Sequence, residues 1–380
     1  MRILLANAYG ADRYHGGAER YVRELRDGLT GRGHAVAVLA SFTPRADDSE
    51  VRRTLHDSDW QTSTTRRRLN HVEDWVAALP RGADAILREL APDLIHTNTL
   101  PGMSTGIWEL ARRQGIPVVH TIHDYHLLCP RTSLRRRDGT SCHPHPLLCG
   151  ARSRRLARWR GGVDAVIGVS RHVLDRHEAF FDADQLHMIV RPPRTPVPGA
   201  EHASTPRQLT RLGYLGTLNA DKGVAMLLDA APELAQRGVS LRIAGGGPLE
   251  AEVRRASGVD YVGRLQGQDV GRFLAECDAG VVASQWEDPA PFTPLEWLAS
   301  GRPVIATRNG GLPELTELGG AYTFDGTRKG LLDTVAGLAS LSSFAALVST
   351  VPPTKGKTDL VRWLDEHEQI YAQVARSDLS

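Results

Sequence analysis

Ser284-Gln285-Trp286-Glu287-Asp288-Pro289-Ala290-Pro291-Phe292-Thr293-Pro294-Leu295-Glu296-Trp297-Leu298-Ala299-Ser300-Gly301-Arg302-Pro303-Val304-Ile305 is the stretch that decides the fold. It follows the apolar run Ala279 to Ala283, enters a helix, and leads into the next apolar run from Pro303 to Ala306. Strand, helix, strand in that order is the unit of a parallel sheet. Asp288 and Glu296 bracket the turn eight residues apart. Their acceptor-only oxygens suit a sugar hydroxyl and a ribose hydroxyl. Thr293-x-x-Glu296 with Pro294 at the first helical position is also a capping box, which uses the same glutamate without any ligand, so two readings stand open here.

The alternation continues in both directions. Upstream, strands are expected at Arg211 to Tyr214, Ser240 to Ala244 and Asp260 to Val262, and downstream at Ala321 to Phe324. From Arg191 to Pro206 five prolines fall among sixteen residues without usable period, which reads as a linker. Before it lie strands at Arg2 to Ala6, Ala35 to Leu39, Asp93 to His96, Pro117 to Ile122 and Ala165 to Val169. The first helix has its apolar face at Ala18, Val22, Leu25 and Leu29, with Gly31 and Gly33 as its stop. The expected organisation is therefore a Rossmann-like domain over 1–195 and a second over 205–358. A terminal helix over 360–376 packs back onto the first. Two segments break the order: 41 to 75, polar and basic with Arg66-Arg67-Arg68, and 123 to 160, a long connection of the kind that often carries function.

A chain of 380 residues exceeds one core and fits two domains of roughly 100–200 residues. A net charge of +2 gives no basis for a nucleic-acid binder. Met1 to Ala6 is too short for a signal-peptide core, and no apolar run approaches the roughly 18 residues of a membrane span. The expected location is the cytoplasm.

Four segments carry candidate chemistry. His15-Gly16-Gly17-Ala18-Glu19 opens a helix where backbone amides face an anion, although a tight turn needs glycines for geometry alone. It lacks the Gly-x-Gly-x-x-Gly dinucleotide fingerprint. Gly213 to Gly223 runs from a strand into a helix and sets Lys222 where it can oppose a diphosphate. The Asp288–Glu296 turn is the third. His120-Thr121-Ile122-His123-Asp124-Tyr125 ends a strand, with Asp124 beside His123 to hold its tautomer, and His96 and Asn98 end the strand before it.

Together, Gly16-Gly17-Ala18-Glu19, Gly216 with Lys222-Gly223, Ala244-Gly245-Gly246-Gly247-Pro248, the Asp288–Glu296 pair and Gly310-Gly311-Leu312-Pro313-Glu314 resemble the retaining family 4 glycosyltransferases. The resemblance covers most of the chain and is poor over 41 to 75. It implies an α/β architecture of GT-B type, two facing Rossmann-like domains with a deep interdomain cleft. It also implies transfer of a sugar from a nucleotide-diphosphate donor, most often UDP-linked, to a saccharide, small-molecule or lipid-linked hydroxyl. On this basis Lys222 neutralises the diphosphate and Glu296 binds ribose. Asp288 takes the place of the family's first glutamate, with Glu287 one residue out of register. His123 positions the transferred sugar. Gly16, Gly17, Gly216, Thr217, Gly246, Arg264, Phe292 and Thr293 line the donor, and His96, Asn98 and Asp124 the acceptor. Thr217 stands where the family has an arginine, leaving Arg308 or another arginine to supply the second cation, and Pro291 replaces a common glycine. No catalytic metal and no cofactor are expected. The rival readings are a nucleotide-sugar 2-epimerase of the same architecture and a catalytically degenerate scaffold.

Between Arg131 and Arg160 nine arginines face one acid, Asp138. An anionic acceptor or an anionic membrane would suit them. Only Leu134, Leu147 and Leu148 offer exposed apolar contact, so a solvated basic loop is the preferred expectation over peripheral membrane contact. Cys129, Cys142, His143, His145 and Cys149 include a Cys₃His ligand set, but spacings of thirteen and seven residues fit no common zinc pattern, and reduced thiols are expected.

Overall fold

The computed structural model describes residues 1–10, 16–42, 52–56, 63–136, 138–142, 146–200, 204–353 and 357–377. They form two compact units, Met1–Pro192 with Arg362–Ser380, and Pro193–Val361. Each is built on its own parallel sheet flanked by helices, the layered solution for strands buried on both faces.

In the first unit the strands are β1 (Arg2–Tyr9), β2 (Ala35–Phe42), β3 (Arg52–His56), β4 (Leu94–Thr97), β5 (Val118–Ile122), β6 (Ala165–Gly168) and β7 (Leu186–Ile189). Their spatial order is β3-β2-β1-β4-β5-β6-β7. The helices are α1 (Gly17–Gly31), α2 (Thr64–Val76), α3 (Ala83–Leu90), α4 (Gly106–Arg113), α5 (Leu147–Leu156) and α6 (Arg171–His177). Ile3, Leu4 and Leu5 are wholly enclosed, as are Leu94, Ile95, Val118 and Val119 on neighbouring strands. Such central strands bury both faces and read as continuous apolar runs, each large side chain contributing about 1.5–3 kcal/mol. In-register pairing of Leu4 with Ala37 and Ile95 aligns the carboxyl ends of β1 and β4. Polar residues stand there: Asn7 accepts from the amide and hydroxyl of Thr99, and the Asn98 amide oxygen meets His123 after β5.

The second unit has β8 (Arg211–Leu215), β9 (Ser240–Ala244), β10 (Val259–Gly263), β11 (Ala279–Val282), β12 (Val304–Thr307) and β13 (Ala321–Phe324). Their order is β10-β9-β8-β11-β12-β13. Its helices are α7 (Val224–Gln236), α8 (Glu250–Arg255), α9 (Gln268–Glu276), α10 (Phe292–Ala299), α11 (Arg328–Gly337) and α12 (Leu341–Ser349). A final helix, α13 (Lys357–Ser377), belongs to the first unit from Arg362 onward. Both strand orders start in the middle and reverse, the doubly wound pattern whose ligands sit at carboxyl ends of strands. Helix α10 is seated by Trp297: a methyl group on Gly213 or Gly280 would lie 2.4 Å from its ring, so the indole fills the space those strands leave.

Three expectations are corrected here. The segment 41 to 75 is not devoid of order, because β3 and α2 occupy parts of it. Strand β7 was not expected and closes the first sheet's edge. Leu134 is buried at 2% exposure, and Arg152 of the basic segment is buried too, its guanidinium 2.9 Å from Asp74 and 2.6 Å from the His126 carbonyl. A solvated basic loop therefore does not describe Arg152.

Among the described residues no single helix is long and apolar enough to cross a membrane. All four cysteines are free thiols, and Cys149 is pushed up by partial burial and by nearby Cys129 and Cys142, the opposite of an activated thiolate. No group of three His, Cys, Asp or Glu is placed to hold a metal among the described residues, and His143 and His145 lie outside them.

Candidate functional site

In the second unit the site grows from four strand ends. After β8 the chain turns at Gly216, and the Leu218 amide donates to the Gly246 carbonyl (3.1 Å), so the loops after β8 and β9 pack on each other. A methyl group on Gly245 would sit 1.8 Å from the Gly216 carbonyl, a separation only glycine permits. Arg264 lies against Gly246: its guanidinium nitrogens would be 2.8 Å from a Cβ placed there. Thr217 is exposed on the same turn.

Lys222 ends that turn, its amide donating to Asn219 Oδ1 (2.9 Å) one residue before Gly223 caps α7. Its ammonium meets Asp288 Oδ2 at 2.5 Å and lies 5.3 Å from the Trp286 ring centroid. The same Asp288 oxygen accepts the Ser284 hydroxyl at 2.9 Å. Asp288 is 3% exposed, so its charge is compensated by an ammonium and a hydroxyl rather than by bulk water. Its main chain is equally constrained. The Gly311 amide donates to the Asp288 carbonyl (2.8 Å), and Gly310, at φ +67°, would carry a Cβ only 2.3 Å from that carbonyl. Thr307 Oγ1 and Asn309 Nδ2 both donate to the Ser284 carbonyl, at 2.8 and 2.7 Å. Ser284, Thr307 and Asn309 thus hold Asp288 from behind. Sequence reasoning missed these three because nothing in their spacing distinguishes them from ordinary strand-end polar residues.

Helix α10 begins at Phe292, with Pro291 in extended geometry before it and no side-chain cap. Thr293 is therefore inside the first turn and the capping-box reading of Glu296 does not hold. The first-turn amides of Phe292 and Thr293 stand at the positive end of the helix dipole. Glu296 is partly exposed one turn in, and Glu287 is partly exposed beside Asp288. Arg308 turns toward β13, Nε donating to Thr323 Oγ1 (3.3 Å).

In the first unit α1 opens at Gly16, and the Glu19 carboxylate curls back so closely that a methyl group on Gly16 would meet it at 2.1 Å. Burial raises the pKa of Glu19, opposed by hydrogen bonds that include Asn7 and raised further by the charge of Asp124. Burial likewise raises Asp124, whose Oδ1 accepts the His126 amide at 2.7 Å. A helix end already furnished with a carboxylate suits a hydroxyl-bearing ligand better than a phosphate. His15 lies outside the described residues.

His123 is partly exposed, with Tyr21 edge-on at 4.6 Å. Its Nε2 is 2.9 Å from Asn98 Oδ1, while Asn98 Nδ2 donates to the His96 carbonyl at 3.3 Å. The amide is oriented by that second bond, so its oxygen faces the ring and the ring proton sits on Nε2. Asn98, rather than Asp124, therefore sets the tautomer, which leaves Nδ1 an acceptor. Desolvation, and secondarily the charge of His367, pushes His123 down to about 3, so it stays neutral at physiological pH. His96 is not available to a ligand. It is fully enclosed, Nδ1 on the Tyr371 hydroxyl and Nε2 on Thr121 Oγ1, both at 2.6 Å.

Comparison with known proteins agrees with this architecture. The profile of Glycosyltransferase Family 4 matches residues 15–192, and that of Glycosyl transferases group 1 matches 210–340. The chain is 25% identical over 343 residues to an uncharacterized 42.6 kDa protein of the Klebsiella pneumoniae cps region, covering 84% of this chain and 88% of that one. It is 26% identical over 369 residues to the MMP alpha-(1->4)-mannosyltransferase of Mycolicibacterium hassiacum, covering 83% of each. Among solved structures it superposes on the sucrose-phosphate synthase of Thermosynechococcus elongatus with a TM-score of 0.74 at 18% identity, covering 99% of this chain and 100% of that one. Anabaena HepE in complex with UDP gives 0.67 at 16%, covering 98% and 100%. Two Rossmann-like domains with these topologies define the GT-B class of transferase. The chain belongs to the family 4, group 1 glycosyltransferases.

Proposed function

We propose that this glycosyltransferase takes its sugar from a nucleoside-diphosphate donor, a UDP-sugar by preference, and transfers it with retention to a hydroxyl of a saccharide, small-molecule or lipid-linked acceptor. The observation that carries this reading is the Lys222–Asp288–Ser284 cluster, which sets one ammonium and one buried carboxylate at a strand end, eight residues before Glu296. The solved HepE complexes with UDP and UDP-glucose support the donor class.

In this reading the diphosphate draws Lys222 from Asp288, and Arg264 beside Gly246 supplies the second cation that Thr217 does not. The first-turn amides of α10 add positive potential where charge develops, which is where electrostatic stabilisation is most effective. Glu296 accepts ribose hydroxyls. Asp288, once released, accepts a hydroxyl of the sugar. The C1–O bond to phosphate breaks as the acceptor oxygen bonds C1 on the same face, and the acceptor's proton passes to the departing phosphate oxygen. No side chain is needed as base, which agrees with a neutral, weakly basic His123 acting through its Nδ1 as a hydrogen-bond acceptor.

The test is a thermal-shift series with nucleoside diphosphates and nucleotide sugars, because a ligand that binds only the folded chain raises its melting point by mass action. A shift with one nucleoside diphosphate, lost in Lys222→Ala, is expected. No shift with any nucleotide would leave the degenerate-scaffold reading in its place.

A further inference from the structure

Helix α2 is built inside out. Its buried residues are polar: Asn70 and Asp74 are 5% and 3% exposed, and Arg66 reaches Asn70 and Glu73 along the sheltered side. Its apolar residues Leu69, Val72, Trp75 and Val76 face solvent, with Val72 at 58% exposure. Successive helical positions turn by 100°, so Thr65, Arg68, Leu69, Val72, Trp75 and Val76 share one arc of about a third of the circumference. An isolated exposed leucine needs no explanation, but a helix that hides its polar side and shows its apolar one does.

Helix α5 packs on α2 and is pinned to it by the Arg152–Asp74 ion pair at 2.9 Å, both side chains almost wholly buried. Trp159 reinforces the contact, Nε1 donating to the Ala77 carbonyl where α2 ends (2.9 Å). The exposed side of α5 repeats the theme. Leu147 and Leu148, 93% and 71% exposed, begin a stripe that continues through exposed Arg154 and Arg155, with exposed Arg158 in the 3-10 turn that follows the helix. The acids of the two helices, Glu73 and Asp74, are each engaged by an arginine.

We infer that α2 and α5 form a docking surface for an anionic phospholipid bilayer. Large apolar side chains including a tryptophan insert at the headgroup boundary while arginines meet lipid phosphates, which is the composition interfacial helices need. The charge argues for lipid over a second copy of the chain, since a two-fold contact through this patch would set Arg68, Arg154, Arg155 and Arg158 against their own counterparts. Most of the apolar residues of this surface lie on α2, outside the basic segment between Arg131 and Arg160 that the sequence brings to notice.

The experiment is vesicle co-sedimentation of the full chain, read as bound protein and thus independent of any glycosyl transfer. The wild type is expected to sediment with phosphatidylcholine–phosphatidylglycerol vesicles, to stay in solution with phosphatidylcholine alone, and to be released by salt. Arg154→Gln with Arg155→Gln and Arg158→Gln should weaken binding about a hundredfold, at about fivefold per basic residue. Val72→Glu with Leu148→Glu should abolish it while the circular dichroism spectrum is unchanged. Failure of the wild type to bind anionic vesicles, binding that ignores both sets of substitutions, or a dimer that the glutamate variant splits with no vesicle binding would each overturn the proposal.

Discussion

Replacing Asn98 by aspartate should turn His123 from a permanently neutral ring into one that charges in mildly acidic solution. In the wild type desolvation pushes its pKa down to about 3, well below the unfolded value of about 6.5. A carboxylate in place of the Asn98 amide, with an oxygen about 2.9 Å from Nε2, favours the imidazolium, and opposite charges this close raise a pKa by about 1–3 units. The variant should therefore titrate between about 4 and 6. Other groups near the ring do not offset this. His367 is neutral, pushed down to about 4, Tyr21 is raised and un-ionised, and His96 and His120 are held well below their usual range. Glu19 and Asp124 are acids whose own pKa values are raised. The assay is nitrogen-15 NMR of histidine-labelled protein, with His123→Gln assigning the signal. The wild type should show a neutral ring protonated at Nε2 from pH 8 to 5, and Asn98→Asp a titrating one, with a new acidic limb in kcat/KM once a substrate is in hand. A wild-type ring that titrates near its ordinary value, or carries its proton on Nδ1, would refute the argument.

Three further perturbations follow from the same geometry. His177 and His367 are buried and depressed to about 4, so the unfolded chain binds protons more readily below about pH 6.5. Stability should fall as pH drops from about 6.5 to about 4, by about 3 kcal/mol for each ring, and denaturant titrations that are flat across this window would contradict it. Asp74→Ala strands the buried Arg152 guanidinium and should cost about 3–5 kcal/mol in the first unit, whereas Asp74→Leu with Arg152→Met should recover most of it in the same unfolding measurement. Gly310→Ala holds a side chain at φ +67°, about 1–2 kcal/mol of backbone strain, and in addition drives its Cβ against the Asp288 main chain. Because Asp288 must shift, nucleotide-induced stabilisation should drop more than the ligand-free melting point does.

The sheets were legible because parallel strands must be apolar on both faces. All six strands of the second unit lie where apolar runs were read, within one or two residues. β3 and β7 are the two edge strands and were missed for different reasons: Arg52–His56 is largely polar, whereas Leu186–Ile189 is apolar apart from His187 but only four residues long. Helix α2 escaped although Leu69, Val72, Trp75 and Val76 do fall at helical spacing, because the other nine of its thirteen residues are polar and Arg66-Arg67-Arg68 made the segment read as a basic loop. At the candidate site the carboxylate spacing and Lys222 were visible, but their contact with each other was not, since 66 residues separate them. Asn98 was singled out as a ligand, and the bond from its Nδ2 to the His96 carbonyl, which turns its oxygen to His123, was not readable from the sequence. Thr293 followed by Glu296 matched a cap in sequence, yet Pro291 in extended geometry starts the helix two residues earlier.

The most direct measurement of the central claim is release of nucleoside diphosphate from the nucleotide sugar that stabilises the wild type most, with and without a panel of hydroxylic acceptors. Release that accelerates with an acceptor, and falls by two or more orders of magnitude in folded Lys222→Ala and Glu296→Ala, is predicted. Near-wild-type rates in both variants would show that this cluster is not where the donor is held.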